Sequence, residues 1–189
     1  TLSLHDALPF FKAIEEGWNR YSMTQGLPEL NRRIVERWEA AHGRRPEASM
    51  VTCGVSGGVL LSFLCLLEPG DEILLPDPFF MMYRHLALLC DAVPRYYSLY
   101  PDFRLPLREM EGLLSERTKV ILINSPANPT GAVFSEEELR AVGAMADRVG
   151  AVLISDEIYD EFVYDAPFVS PCRYSDRSLV LGGFSKTYG

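Results

Sequence analysis

The chain of 189 residues carries a formal net charge of −8 and is 48% hydrophobic, enough apolar material for one sizeable buried core. The acidic balance argues against a nucleic-acid surface, because phosphate backbones are met by Lys and Arg, and no stretch reaches the length of a membrane span or reads as a secretory signal. Cys53, Cys65, Cys90 and Cys172 are scattered without CxxC spacing and read as reduced core thiols of a cytoplasmic protein, while the scattered His5, His42 and His85 offer no metal site.

In chain order, the opening residues Thr-Leu-Ser-Leu-His-Asp-Ala-Leu-Pro resemble an in-frame translation of a common sequencing adapter. With the stop after Gly189, this is the pattern expected of a gene fragment, so residues 1–9 are set aside from the fold argument. Residues 10–45 are expected to form an N-terminal segment and helix, and residues 46–189 one large domain. Leu30, Ile34, Val35, Trp38 and Ala41 recur at helical spacing, with Pro28 near the start and Gly43 just past the end, which predicts a helix over residues 30–41. Residues 50–53 read as a short strand and 57–67 as a buried helix. A Pro-Gly-Asp turn precedes a strand over 72–75. Residues 79–90 read as a helix, 93–99 as a strand, 107–116 as a helix and 119–123 as a strongly apolar strand. Ser135 and Glu138 have capping-box spacing for a helix running to Val149, and residues 151–154 and 179–181 complete the strands. Strands that alternate with helices and are apolar on both faces predict an α/β fold, a three-layer α/β/α arrangement with a mostly parallel sheet.

In such sheets ligands bind at the carboxyl ends of the strands, and here several of those ends carry polar groups. Gly-Val-Ser-Gly-Gly at 54–58 opens a helix whose free N–H groups suit a phosphate, with Ser56 adding a hydroxyl. Taken alone, glycines for close packing explain that segment equally simply. Asp156 ends an apolar strand, where a carboxylate can pair with a protonated ring nitrogen; Glu157 is the competing acid, and spacing alone does not separate them. Asn128, between Ala127 and Pro129, and Tyr159 can each donate to a phenolate oxygen, although Asn-Pro is also a turn dipeptide. Phe80 can stack on a flat ring. Met81, Met82 and Tyr83 after it can line a pocket for apolar or aromatic donors, although packing of a core helix is the simpler reading. Lys186 follows the apolar run 179–181, and the expectation is a desolvated amine of the kind that forms Schiff bases with carbonyl compounds. A phosphate-binding P-loop is ruled against, since Ser185 and not glycine precedes Lys186.

Three ordered motifs, Asn-Ser-Pro-Ala-Asn-Pro-Thr-Gly, Ser-Asp-Glu-Ile-Tyr and Phe-Ser-Lys-Thr-Tyr-Gly, together with the glycine-rich segment and the upstream Tyr21, Gly26, Leu27, Leu30 and Asn31, resemble the class I/II aminotransferases, fold-type-I enzymes that use pyridoxal 5′-phosphate. The resemblance runs from about Tyr21 to Gly189. It implies the large cofactor-binding domain of that fold and a transaminase that moves an amino group between an L-amino acid and a 2-oxo acid. It implies Lys186 as the residue of the internal aldimine and the proton shuttle between substrate and cofactor. Asp156 would bridge to the pyridine nitrogen, Asn128 and Tyr159 would bond the ring hydroxyl oxygen, and Phe80 would stack on the ring. Val55 (through its backbone) and Ser56 would hold the phosphate. Tyr21 would reach the phosphate of a partner subunit, which implies a homodimer with shared active sites.

The chain departs from the family at Gly183, where many relatives carry a serine touching the phosphate, and it ends before the family's phosphate arginine, carboxylate-binding arginine and small C-terminal domain. The fragment itself is expected to be inactive. The same cofactor residues fit carbon–sulfur lyases, aminocyclopropane-carboxylate synthases and decarboxylases of this fold. They also fit the sensor domain of a transcription regulator and a scaffold without chemistry, although retention of Lys186, Asp156, Asn128 and Tyr159 together speaks against the last.

Overall fold

Several short apolar runs dictate the architecture, because a strand that is hydrophobic on both faces must be covered on both. The computed structural model describes residues 4–189, with side chains from residue 8 onward. Part of the segment read as adapter sequence, residues 1–3, therefore lies outside the described residues. Helices α1 (Leu4–Glu15) and α2 (Pro28–His42) lead in. Then come α3 (Gly54–Leu66), β1 (Glu72–Asp77), α4 (Met82–Leu89), β2 (Val93–Ser98) and α5 (Leu107–Leu113). They are followed by β3 (Thr118–Asn124), α6 (Glu136–Val149), β4 (Val152–Asp156) and β5 (Ser178–Leu181), with 3₁₀ turns at Asp160–Phe162 and Pro171–Tyr174. The sheet order is β2-β1-β3-β4-β5, and every pairing is parallel.

Alternation along each strand sorts the core into two layers. Val120 and Leu122 of β3 join Val59 and Phe63 of α3 and Tyr83 and Leu86 of α4. Ile121 and Ile123 face the other way, toward Met110 of α5 and Leu139, Val142 and Ala146 of α6. The result is the expected three-layer α/β/α sandwich. Local signals agree with it. Pro28 starts α2 and Gly43 ends it at φ 68°, a conformation that favours glycine. At α6 the Ser135 hydroxyl accepts from the Glu138 N–H while the Glu138 carboxylate accepts from the Ser135 N–H, which completes the capping box.

Three expectations are corrected. Residues 50–53 form no strand: Val51 N–H bonds to the Gln25 carbonyl and the Thr52 hydroxyl to the Gly54 carbonyl, so the run is a turn leading into α3. The helix expected over 79–90 begins at Met82, leaving Phe79, Phe80 and Met81 in the loop after β1. The helix expected over 107–116 ends at Leu113, because Leu114 is extended and Ser115 turns back to bond Thr118.

From β1 the chain goes outward to β2, then returns to β3 on the other side of β1 and continues to β4 and β5. A reversal of this kind opens a crevice at the carboxyl ends of the strands. The ends of β3 and β4 are tied there, since Asn124 Nδ2 donates to the Asp156 carbonyl at 3.0 Å.

Candidate active site

A cavity of about 230 Å³ opens at that edge, and its wall comes from separate elements. The start of α3 contributes Gly54, Val55 and Ser56; the loop after β1 contributes Phe80; α4 contributes Tyr83. The ends of β3 and β4 and the loops beyond them contribute Asn124, Asn128, Asp156, Ile158 and Tyr159, and the segment after β5 contributes Ser185 and Lys186.

Asp156 is the last residue of β4 and is only 3% exposed. Its Oδ2 accepts from the Tyr83 hydroxyl at 2.7 Å and its Oδ1 from the Ile158 N–H at 3.2 Å. Burial pushes its proton affinity up, and the two hydrogen bonds pull it partly back. Among the described residues no cation pairs with it. Glu157, the rival acid, is the first residue beyond β4 and does not line the cavity. The Ser170 hydroxyl donates to Glu157 at 2.5 Å, and burial pushes the Glu157 carboxyl up to about 7. The end of β4 thus separates two acids that spacing could not.

Asn128 is half-buried, and its N–H donates to Asn124 Oδ1 at 2.7 Å. Asn124 therefore fixes the loop that carries Asn128. Tyr159 is half-buried beside the start of the 3₁₀ turn. Lys186 Nζ lies 5.8 Å from the centroid of the Tyr159 ring, within cation–π range. Lys186 is exposed, which corrects the expectation of a desolvated amine. Among the described residues β5 lies at the edge of the sheet and is only partly buried.

Two expected site residues do not line the cavity. Gly183 lies just behind the wall, where a Cβ would stand 2.9 Å from Ile158 Cδ1 and 3.6 Å from Val55 Cγ2. Tyr21 is fully exposed on a separate surface concavity with Asn19 and Arg20. Sequence reasoning favoured packing for Tyr83 and gave Asn124 no role of its own. The position of Tyr83 three residues after Phe80 was the available hint.

The wall fits an anionic, flat, nitrogen-containing cofactor. The first turn of α3 carries no acidic residue and its N-cap Cys53 makes no side-chain capping bond; the Gly54 N–H bonds back to the Thr52 carbonyl, which leaves the Val55 and Ser56 N–H groups to meet a phosphate. The buried Asp156 lacks a cation, and Lys186 supplies a primary amine in the same cavity. Among the described residues no cluster of His, Cys, Asp and Glu could hold a metal ion.

Comparison with known proteins agrees with this geometry. The family described as "Aminotransferase class I and II" matches residues 5–189. The chain is 34% identical over 179 residues to the probable aspartate aminotransferase of Methanocaldococcus jannaschii, covering 94% of this chain and 48% of that protein. It is 38% identical over 186 residues to the probable aspartate/prephenate aminotransferase of Aquifex aeolicus, covering 94% and 47%. The fold superposes on the alanine aminotransferase of Pyrococcus furiosus with a TM-score of 0.87 at 34% identity, over 98% of this chain and 49% of that one. The chain thus spans about half the length of the relatives it matches. It belongs to the class I and II aminotransferase family.

Proposed function

We propose that these residues are the cofactor-binding part of a pyridoxal 5′-phosphate-dependent aminotransferase that moves an amino group between an L-amino acid and a 2-oxo acid. The observation that carries the reading is a buried carboxylate without a cation, Asp156, sharing one cavity with the amine of Lys186 and the uncapped start of α3. Named relatives for aspartate and alanine support amino-group transfer as the reaction class.

Pyridoxal phosphate, when bound, supplies an aldehyde that condenses with amines and a ring that accepts the electron pair left at the substrate Cα. The chain's own residues do the rest. Val55 and Ser56 offer backbone N–H groups and a hydroxyl to the phosphate at the positive end of α3. Phe80 would cover a ring face, Asn128 and Tyr159 would offer donors to the ring hydroxyl oxygen, and Asp156 as an anion would favour a proton on the ring nitrogen. The Lys186 amine would hold the cofactor and serve as the base nearest the substrate Cα. Gly183 keeps the strand-to-lysine segment against Ile158 and Val55. The exposure of Tyr21 supports a homodimer in which that residue reaches the second copy's site. Cys53 and Cys65 are exposed and only Cys172 is buried, which corrects the expectation of four core thiols; four unpaired thiols suit a reducing, cytoplasmic setting.

Borohydride trapping tests the reading. Full-length protein incubated with pyridoxal phosphate and reduced should carry a pyridoxyl label on Lys186 by peptide mass, and Lys186→Ala should carry none. A folded wild type without label would overturn it.

A further inference from the structure

Tyr83 is the residue of the cavity wall to which the cofactor reading gives no role. It lies in the first turn of α4 and is 1% exposed. A buried phenol needs a partner for its hydroxyl. Here that partner is Asp156 Oδ2, at 2.7 Å and 73 positions away in sequence. The ring of Tyr83 also packs edge-on against Phe80, with centroids 5.6 Å apart and planes at 82°. One side chain therefore touches both the carboxylate and the aromatic wall. With the Ile158 N–H on Oδ1 at 3.2 Å, each oxygen of Asp156 has one fixed donor, and the plane of the carboxylate is set.

Orientation is one consequence and charge is the other. Burial favours the neutral acid, whereas a hydrogen bond donated to a carboxylate favours the anion. Only the anion can hold a proton on a ring nitrogen as an ion pair. Tyr83 does not itself give up a proton, because burial and the neighbouring carboxylate both strengthen its hold on it.

We propose that Tyr83 is a positioning residue: its hydroxyl fixes the plane and the negative charge of Asp156, so that the carboxylate meets the cofactor's ring nitrogen as an oriented anion. This rests on the pyridoxal phosphate reading of the site. The test compares dissociation constants of full-length wild type and Tyr83→Phe for pyridoxal phosphate and for its 1-deaza analogue, in which carbon replaces the ring nitrogen. A hydrogen bond to a charged group sets the scale: Tyr83→Phe should bind pyridoxal phosphate about tenfold more weakly and the analogue as well as wild type does. Equal loss for both compounds, or loss for neither, would overturn the proposal, since a purely structural tyrosine does not distinguish nitrogen from carbon. If Tyr83→Phe does not fold, the double variant Tyr83→Phe/Asp156→Asn replaces it, with the buried charge removed. Binding equal to that of Asp156→Asn alone supports action through Asp156, and a further loss overturns it. A folded wild type that binds neither compound overturns the cofactor reading itself. A wild type that binds while Tyr83→Phe behaves identically overturns only the role of Tyr83.

Discussion

Asp156 and Glu157 are adjacent in sequence, and the end of β4 between them leaves them in different environments. Asp156 can gain a cationic partner in the cavity. Glu157 accepts from the Ser170 hydroxyl and has the acids Asp160 and Asp156 nearby, and burial raises it from its ordinary 4.5 to about 7. Its folded form thus binds a proton more tightly than its unfolded form, and linkage fixes the sign. The stability it contributes is fully present below about pH 4.5 and is lost as pH rises through about 7. The loss is on the order of 3 kcal/mol. Asp156 and Asp160 shift in the same direction, so the comparison that isolates Glu157 is with Glu157→Gln, which cannot ionise. Denaturant unfolding should show the Gln variant gaining on wild type by a few kcal/mol between about pH 5 and about pH 8. Parallel pH profiles for the two proteins would refute a buried, proton-binding Glu157. None of this was legible from Ser-Asp-Glu-Ile-Tyr, because the point at which β4 ends is set by its pairing with β3 and β5. The partnership of Tyr83 with Asp156 was equally hidden, since it joins residues 73 positions apart. The exposure of Lys186 is likewise a property of the assembled fold and not of the local run.

Elements were more legible than contacts. The runs of β1, β3 and β4 stood out because strands covered on both faces carry continuous Ile, Leu and Val at their centres, and the α6 start stood out because its capping box is a local motif. Residues 50–53 misled because a short apolar run looks alike in a strand and in an exposed connection. The same limit applies to glycines inside helices, whose roles diverge once packing is known. Gly143 of α6 faces the Pro171–Tyr174 turn, where a Cβ would stand 2.5 Å from the Tyr174 carbonyl oxygen and 2.8 Å from its carbon. Backbone at that distance cannot step aside, so Gly143→Ala should destabilise by about 1–3 kcal/mol despite its better helix propensity. Gly112 of α5 has nothing within 4 Å of the same position. Gly112→Ala should therefore stabilise by about 0.5–1 kcal/mol. Chemical denaturation of both variants checks the pair. Equal effects would mean that α6 does not approach the turn as closely as described.

At the scale of the whole chain, the described residues leave apolar surface without cover. Helix α3 is apolar on every side, and a helix of that kind is ordinarily buried all round. Val59 and Phe63 face the sheet, but Leu61 and Leu64 point outward, Leu64 with 57% of its surface exposed. Phe10, Phe11 and Ile14 of α1 and Trp18 beyond it are exposed as well. Exposed apolar surface on this scale marks a site of association, and the homodimer proposed above supplies a second copy to cover it. The 189-residue chain should therefore sediment at twice its 21.3 kDa or more. Burying a leucine contributes about 1.5–3 kcal/mol, so Leu64→Glu, which also introduces like charges across a symmetric contact, should weaken association about tenfold or more. Ser62 and Phe63 remain buried beneath that position, so the variant should keep its far-ultraviolet circular dichroism. A chain that stays at 21.3 kDa over a wide concentration range would remove the argument for a second copy on α3. Association that ignores Leu64→Glu would move the contact to the α1 face, where Phe11→Asp is the corresponding variant.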